Sequence, residues 1–348
     1  MLCRSNRIVI VGNPDPIHVG AHFNHAAQGL NLKIRLCDSR EAFTGPAWLT
    51  KFNWWIRGHR PSRLREFSDQ LVRVCQEFQP SWILSMGLAP IDHRALTAIR
   101  KLGVQRLNFL TDDPWNRAHR APWFMKSLPC YDDVFSTRRS NLQELRLLGC
   151  ARVSYLPFAY APELHFLEPM TTQDEQVHFA SDMVFAGGAD RERLTYIFAL
   201  IRAGFKVALY GGYWDRFRET RAYTRGHADP QTLRKAIGGA KVALCLIRRA
   251  NRDGNSMRTF EVPAIGACML TEDTEEHREV FGGDGEAVVY FRSIPEMLER
   301  ARWLLDREDE RRRLATAAHR LITQGENSYA DRLKSMLELA ELSLNQPK

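Results

Sequence analysis

Short runs of apolar and β-branched residues alternate along this chain with longer stretches whose apolar positions recur every three or four residues. The short runs have the length of buried strands, and the longer stretches have the period of amphipathic helices. Ile8–Val11, Lys33–Cys37, Trp82–Ser85, Arg106–Leu110 and Val134–Ser136 form a first series of predicted strands. Asp182–Ala186, Lys206–Tyr210, Lys241–Ile247, Cys268–Leu270 and Ala287–Phe291 form a second. Helices are predicted over Arg63–Phe78, Ile91–Leu102, Arg138–Leu148, Arg191–Ala203 and Thr232–Gly239, and the tail after Ile294 has helical periodicity only. Strand–helix alternation covers both faces of a parallel sheet, so the fold class is α/β, with one Rossmann-like sheet for each series. The break falls at Leu156-Pro157-Phe158-Ala159-Tyr160-Ala161-Pro162, followed by the polar stretch Thr171 to Gln176. Proline pushes the residue before it out of the helical region and lacks the N–H to continue a helix, so prolines there disfavour continued helix and mark a connector. The expected divisions are residues 1–160, 161–325 and a last helical segment, 326–348.

A chain of 348 residues with 44% hydrophobic content is long enough for two cores. No apolar run approaches the ~18 residues of a membrane span, and Arg7-Ile8-Val9-Ile10 leads straight into a strand without the layout of a signal peptide. Seven scattered cysteines without a CxxC pair fit reduced, buried thiols in a cytoplasmic protein. Charge changes the picture more. Residues 1–160 hold 22 Lys/Arg against 12 Asp/Glu, whereas the remainder holds 27 against 29, so the whole +8 excess belongs to the first half. A partner of that half is expected to be anionic.

The densest chemistry is in Ser256-Met257-Arg258-Thr259-Phe260-Glu261-Val262-Pro263-Ala264-Ile265-Gly266, a short helix ending at glycine. A helix N-terminus attracts phosphate, Arg258 adds a forked contact, and Glu261 one turn on can accept from a sugar diol. The segment resembles the donor-site signature of GT-B glycosyltransferases, and most closely the spore-maturation (CgeB-type) branch of the group-1 transferases. The likeness extends upstream through Val242–Leu246 and Arg252-Asp253 and downstream to about Ile322. It implies two Rossmann-like domains facing a central cleft, a final helix crossing back to the first domain, and a nucleotide-sugar co-substrate with no cofactor or metal. The family's two donor glutamates correspond here to Asp253 and Glu261, a spacing that leans towards retention by resemblance alone. Its tail motif, His-Thr-Tyr-like, is replaced by Asn327-Ser328-Tyr329.

Other strand ends supply further donor candidates. Gly187-Gly188, followed by Arg191 and Arg193, and Gly211-Gly212 both terminate predicted strands, where glycine lets backbone amides approach a phosphate. Taken alone, each pair equally fits an ordinary strand–helix turn. Arg248 ends another strand, and Asn255 and Ser256 can cap the helix that carries Arg258 and Thr259. In the first half, Asp112-Asp113-Pro114 closes a strand, so either carboxylate could serve as general base or cap the next helix. His18, with His22 and His25 at helical spacing, is a further candidate base, while no carboxylate or cysteine completes a metal site. Trp54, Trp55, Arg57 and Arg60 lie in a stretch without an acid from Ala42 through Arg65. Aromatic and basic residues together suit an anionic membrane face, a lipid-linked acceptor or nucleic acid, or else the tryptophans are core. The reading is a cytoplasmic glycosyltransferase, peripheral membrane association left open, with an unidentified acceptor and oligomeric state. A nucleotide-sugar epimerase on the same fold and a non-catalytic binding or scaffold protein are the alternatives.

Overall fold

A computed structural model of the chain describes residues 6–342; Cys3 and residues 343–348 of the last predicted segment lie outside the described residues. The chain divides into two compact units. The first comprises the described residues up to Pro157, with Ala250–Arg252 and the helix Tyr329–Leu342; the second comprises Phe158–Arg249 and Asp253–Ser328.

The first unit is built on β1 (Arg7–Gly12), β2 (Lys33–Asp38), β3 (Trp82–Met86), β4 (Gln105–Leu110), β5 (Asp133–Ser136) and β6 (Arg152–Tyr155). They form a parallel sheet in the order β2-β1-β3-β4-β5-β6. Its middle is fully covered: Ile8 to Val11 and the whole of β4 are buried. The second unit contains β7 (Ser181–Ala186), β8 (Val207–Tyr210), β9 (Ala240–Cys245), β10 (Met269–Glu272) and β11 (Val289–Phe291), parallel in the order β11-β10-β9-β7-β8. In each sheet the chain steps outward once, from β1 to β2 or from β7 to β8, and then returns past its first strand. That reversal leaves a crevice at the carboxyl ends of β1 and β3, and of β7 and β9, where open α/β sheets take their ligands.

All ten predicted strands are present with boundaries shifted by at most two residues. The structure adds β6, whose four residues are only half-buried at the sheet edge and so carry little apolar signal. It also adds a helix over Ala47–Ile56. Arg138–Leu148, predicted as one helix, is a 3-10 turn, Arg139–Asn141, leading into a helix over Leu142–Leu147.

The helix Tyr329–Leu342 packs within the first unit on Val19–Gly29. Tyr329 stacks on His22 at 4.9 Å between ring centroids and meets Phe23 edge-on at 5.1 Å. This separates the three histidines predicted to share a face. His22 is buried under Tyr329, His25 is exposed, and His18 stands exposed at the N-cap without a side-chain bond to the helix. Among the described residues no group of three or more His, Cys, Asp or Glu side chains could hold a metal ion, and no helix is long and apolar enough to cross a membrane. The six described cysteines are free, and burial pushes Cys75 and Cys268 up to about 12, which makes them packing groups rather than nucleophiles.

Candidate functional site

In the second unit the site is assembled where β7, β8 and β9 end. Gly211 has φ +127, and a side chain there would put its Cβ 2.5 Å from the Gly187 carbonyl oxygen. The two glycine pairs therefore pack directly on one another. Gly187 N–H donates to Tyr210 O at 2.8 Å, and Ala189 N–H to Gly212 O at 2.9 Å. Of the amides the sequence offered to phosphate, that of Gly187 is thus used in joining the loops, and Gly211 N–H donates to Gly226 O at 2.7 Å. Asp190 caps the next helix by accepting from Arg193 N–H at 2.9 Å. Arg191 at the first turn is exposed, but Arg193 turns inward, donates to Gly188 O at 3.1 Å and lies over the Phe185 ring at 5.4 Å. Burial first, and then the charge of Arg248, lowers its pKa. Arg248 itself is exposed.

The helix Met257–Ile265 follows β9 and ends at Gly266, whose φ of +88 is the left-handed C-cap expected of glycine. Thr259 accepts from Ser256 N–H at 3.0 Å, one half of a capping box. Asn255, expected as a cap, instead accepts from Phe158 N–H at 3.4 Å and is buried. Asp253 donates its amide to Arg248 O at 3.2 Å, which closes the loop between them. Arg258 Nε donates to Ala186 O, the last residue of β7, at 3.0 Å. The guanidinium is thus fixed beside Gly187, and its Nη1 pairs with Glu261. Glu261 is only 1% exposed and also faces His165 Nε2 at 3.6 Å. His165 Nδ1 accepts from Ala161 N–H at 2.9 Å, so the neutral ring carries its proton on Nε2, towards Glu261. The carboxylate expected to meet a sugar diol is turned inward here and orients Arg258. His165 was not singled out in the sequence, and its isolated position in a Pro-Glu-Leu-His stretch gave no signal.

Behind this helix lies His277, fully buried. Its Nδ1 donates to Glu272 O at 2.7 Å, and its Nε2 is 2.9 Å from Thr259 Oγ1. With Nδ1 protonated by that carbonyl bond, Nε2 is the acceptor for the Thr259 hydroxyl. Burial drives the His277 pKa down from 6.5 to about 4. The unfolded chain binds this proton at a higher pH than the folded one. The stabilising contribution is therefore complete above pH ~6.5 and disappears as pH falls to ~4, amounting to roughly 3 kcal/mol. Urea melts of wild type and His277→Asn across that window should show the wild-type slope reduced in the variant; parallel slopes would refute a buried neutral imidazole.

The first unit holds the other candidates. Asp113 is buried, and its carboxylate accepts from Trp115 N–H at 3.0 Å, Asn141 Nδ2 at 3.0 Å, and Arg252 through Nε at 2.7 Å and Nη2 at 3.0 Å. Arg252, at φ +51, also binds both oxygens of Glu144, and these bonds to Asp113 and then Glu144 raise its pKa. Asp113, buried and held by the Arg252 guanidinium, is placed as a structural carboxylate. Asp112 differs. Among the described residues it accepts only from the neighbouring Thr111 hydroxyl, at 3.1 Å, and it borders a pocket of about 180 Å³ with Phe43, Trp54, His59, His119 and Trp123. Trp54 stacks obliquely on His59 at 4.3 Å, and Trp123 Nε1 donates to His59 O at 3.3 Å. Gly58 makes this turn possible, since a Cβ there would lie 2.6 Å from Pro122 Cδ. Trp55, Arg57 and Arg60 are exposed, so the tryptophans of this stretch are not core.

Comparison with known proteins agrees with this architecture. The family model described as glycosyl transferase-like matches residues 191–338, a little under half of the chain. A UDP-forming α,α-trehalose-phosphate synthase from Burkholderia xenovorans superimposes with a TM-score of 0.64 at 11% identity, over 96% of this chain and 98% of that one. A putative UDP-N-acetylglucosamine 2-epimerase from Listeria monocytogenes gives 0.57 at 13% identity, over 100% and 99%. The UDP complex of MnaA from S. aureus gives 0.56 at 13%, over 98% of both chains. No curated protein matches the chain. The fold is accordingly glycosyltransferase-like, of the GT-B type, with two Rossmann-like units.

Proposed function

We propose that the chain is a glycosyltransferase of the CgeB-like branch, acting in the cytoplasm without a metal or cofactor, with its nucleotide-sugar donor held by the second unit. The observation that carries this reading is the position of Arg258, tied to the end of β7 at the crevice of the second sheet and paired with the buried Glu261, which His165 faces in turn. A fixed cation beside a glycine turn is suited to a diphosphate whose charge grows as the glycosidic bond breaks, and preorganised charge of that kind is commonly the largest catalytic contribution. Arg193 and Arg248 add positive charge nearby. Glu261 acts as a positioning residue for Arg258. In the first unit, Asp112 is the candidate general base, because its oxygens are far less occupied than those of Asp113 and it borders the aromatic pocket. The acceptor is an unidentified hydroxyl compound, and the basic character of residues 1–160 favours an anionic one.

The fold of the epimerase neighbours supports a second reading, in which a UDP-sugar is isomerised without an acceptor. Thermal-shift measurements with UDP-, GDP-, CDP- and dTDP-sugars test both readings. One nucleotide series should raise the melting temperature, by an amount equivalent to about 2.7 kcal/mol at one hundred times its dissociation constant. Prolonged incubation with that donor should then release nucleoside diphosphate slowly in the absence of acceptor. Conversion of the sugar without release would establish the epimerase, and no shift with any series would remove both readings.

A further inference from the structure

The helix Ala47–Ile56 is inside out. Its buried residue is Asn53, whose amide donates to Ser62 Oγ at 3.4 Å, and the half-buried Thr50 lies at the same distance from that hydroxyl. Its solvent side carries Trp48, Phe52, Trp55 and Ile56, which are 71%, 40%, 81% and 70% exposed. At 3.6 residues per turn these four fall within about 100° of arc, the width of a stripe that normally faces a core. A surface helix with this arrangement leaves its apolar face to be covered by something outside the fold.

The surrounding charge identifies the cover. No acid occurs from Ala42 through Arg65. Lys51, Arg57 and Arg60 are exposed on or just beyond the helix, and Arg57 lies over the Phe52 ring at 5.4 Å. Tryptophan favours the boundary between headgroups and acyl chains, and lysine and arginine beside it find anionic headgroups. We propose that this stripe docks the protein on an anionic lipid bilayer, with Trp48, Phe52, Trp55 and Ile56 entering the interface and the cations resting on the headgroups. The helix lies flat on the membrane and does not span it. The inference stands independently of the transferase reading.

Co-sedimentation of the full chain with vesicles tests it. Vesicles of phosphatidylcholine mixed with phosphatidylglycerol should bind the protein at least about tenfold more tightly than phosphatidylcholine alone, and added salt should weaken the binding. The triple variant Trp48→Ser/Trp55→Ser/Ile56→Ser should lose about tenfold or more while melting at the wild-type temperature, because these side chains are solvent-facing. Equal or absent binding to the two vesicle types would overturn the proposal. So would a wild-type dimer that the variant converts to monomer, which would make the stripe a self-association face. Loss of binding to an oligonucleotide in the variant, with no vesicle binding by wild type, would assign the stripe to nucleic acid instead.

Discussion

Replacement of Arg258 by alanine is expected to abolish the stabilisation given by the nucleotide-sugar and to lower turnover by about a hundredfold or more. Two losses combine. On the proposed donor reading, the diphosphate would lose a charge-assisted contact worth roughly 1.5–3 kcal/mol, and Glu261, 1% exposed, loses its ion-pair partner and keeps His165 at 3.6 Å. The second loss should itself lower the melting temperature of the unliganded protein, so binding has to be read as the ligand-dependent shift rather than as the absolute temperature. Arg258→Lys separates the two effects. Lysine restores a charge near Glu261 but has no planar fork, so stability should return further than donor affinity. A variant that keeps the full donor shift would remove Arg258 from the site, and with it the main support for the transferase reading.

The second large effect belongs to the first unit and involves no substrate. Arg252→Ala should destabilise that unit by about 3 kcal/mol, because it leaves Asp113 as a buried carboxylate without its countercharge. The part of Arg252 that reaches Glu144 is solvent-facing and contributes little. Asp113→Asn in the same chain should recover much of the loss, since an amide requires no countercharge, and a double-mutant cycle by urea denaturation measures the coupling. Additive effects of the two substitutions would show that the pair is not coupled. Asp113→Asn alone should cost stability yet leave the pocket beside Asp112 intact, which distinguishes a structural carboxylate from a catalytic one.

The sequence made the architecture legible where the information is local. β7 running into two glycines, the helix from Met257 stopped by Gly266, and the ten strands of the two series are each encoded within a dozen residues. What it did not disclose is set by distant partners. Asp113 and Arg252 are separated by 139 positions, and nothing near either residue indicates that they pair. His165 reaches Glu261 only through the folded chain. The helix Ala47–Ile56 was hidden for another reason. Trp48, Phe52, Trp55 and Ile56 fall at helical spacing, but spacing fixes only that they share a face, and whether that face meets a core or solvent depends on what the rest of the fold has already covered. The glycine pairs were recognised for their position, yet their first duty is steric, because Gly211 and Gly187 approach more closely than any side chain permits.

The first unit is discontinuous along the chain: it takes in residues up to Pro157, three residues at Ala250–Arg252, and the helix from Tyr329. During synthesis from the N-terminus, its six strands emerge before any of the second unit. Yet Asp113 waits some 140 residues for Arg252, and His22 and Phe23 wait some 300 for Tyr329. The unit that begins first is therefore the last to be completed. A ribosome-bound chain that has just released Ser328 should hold a complete second unit while the first is still open along the Val19–Gly29 helix.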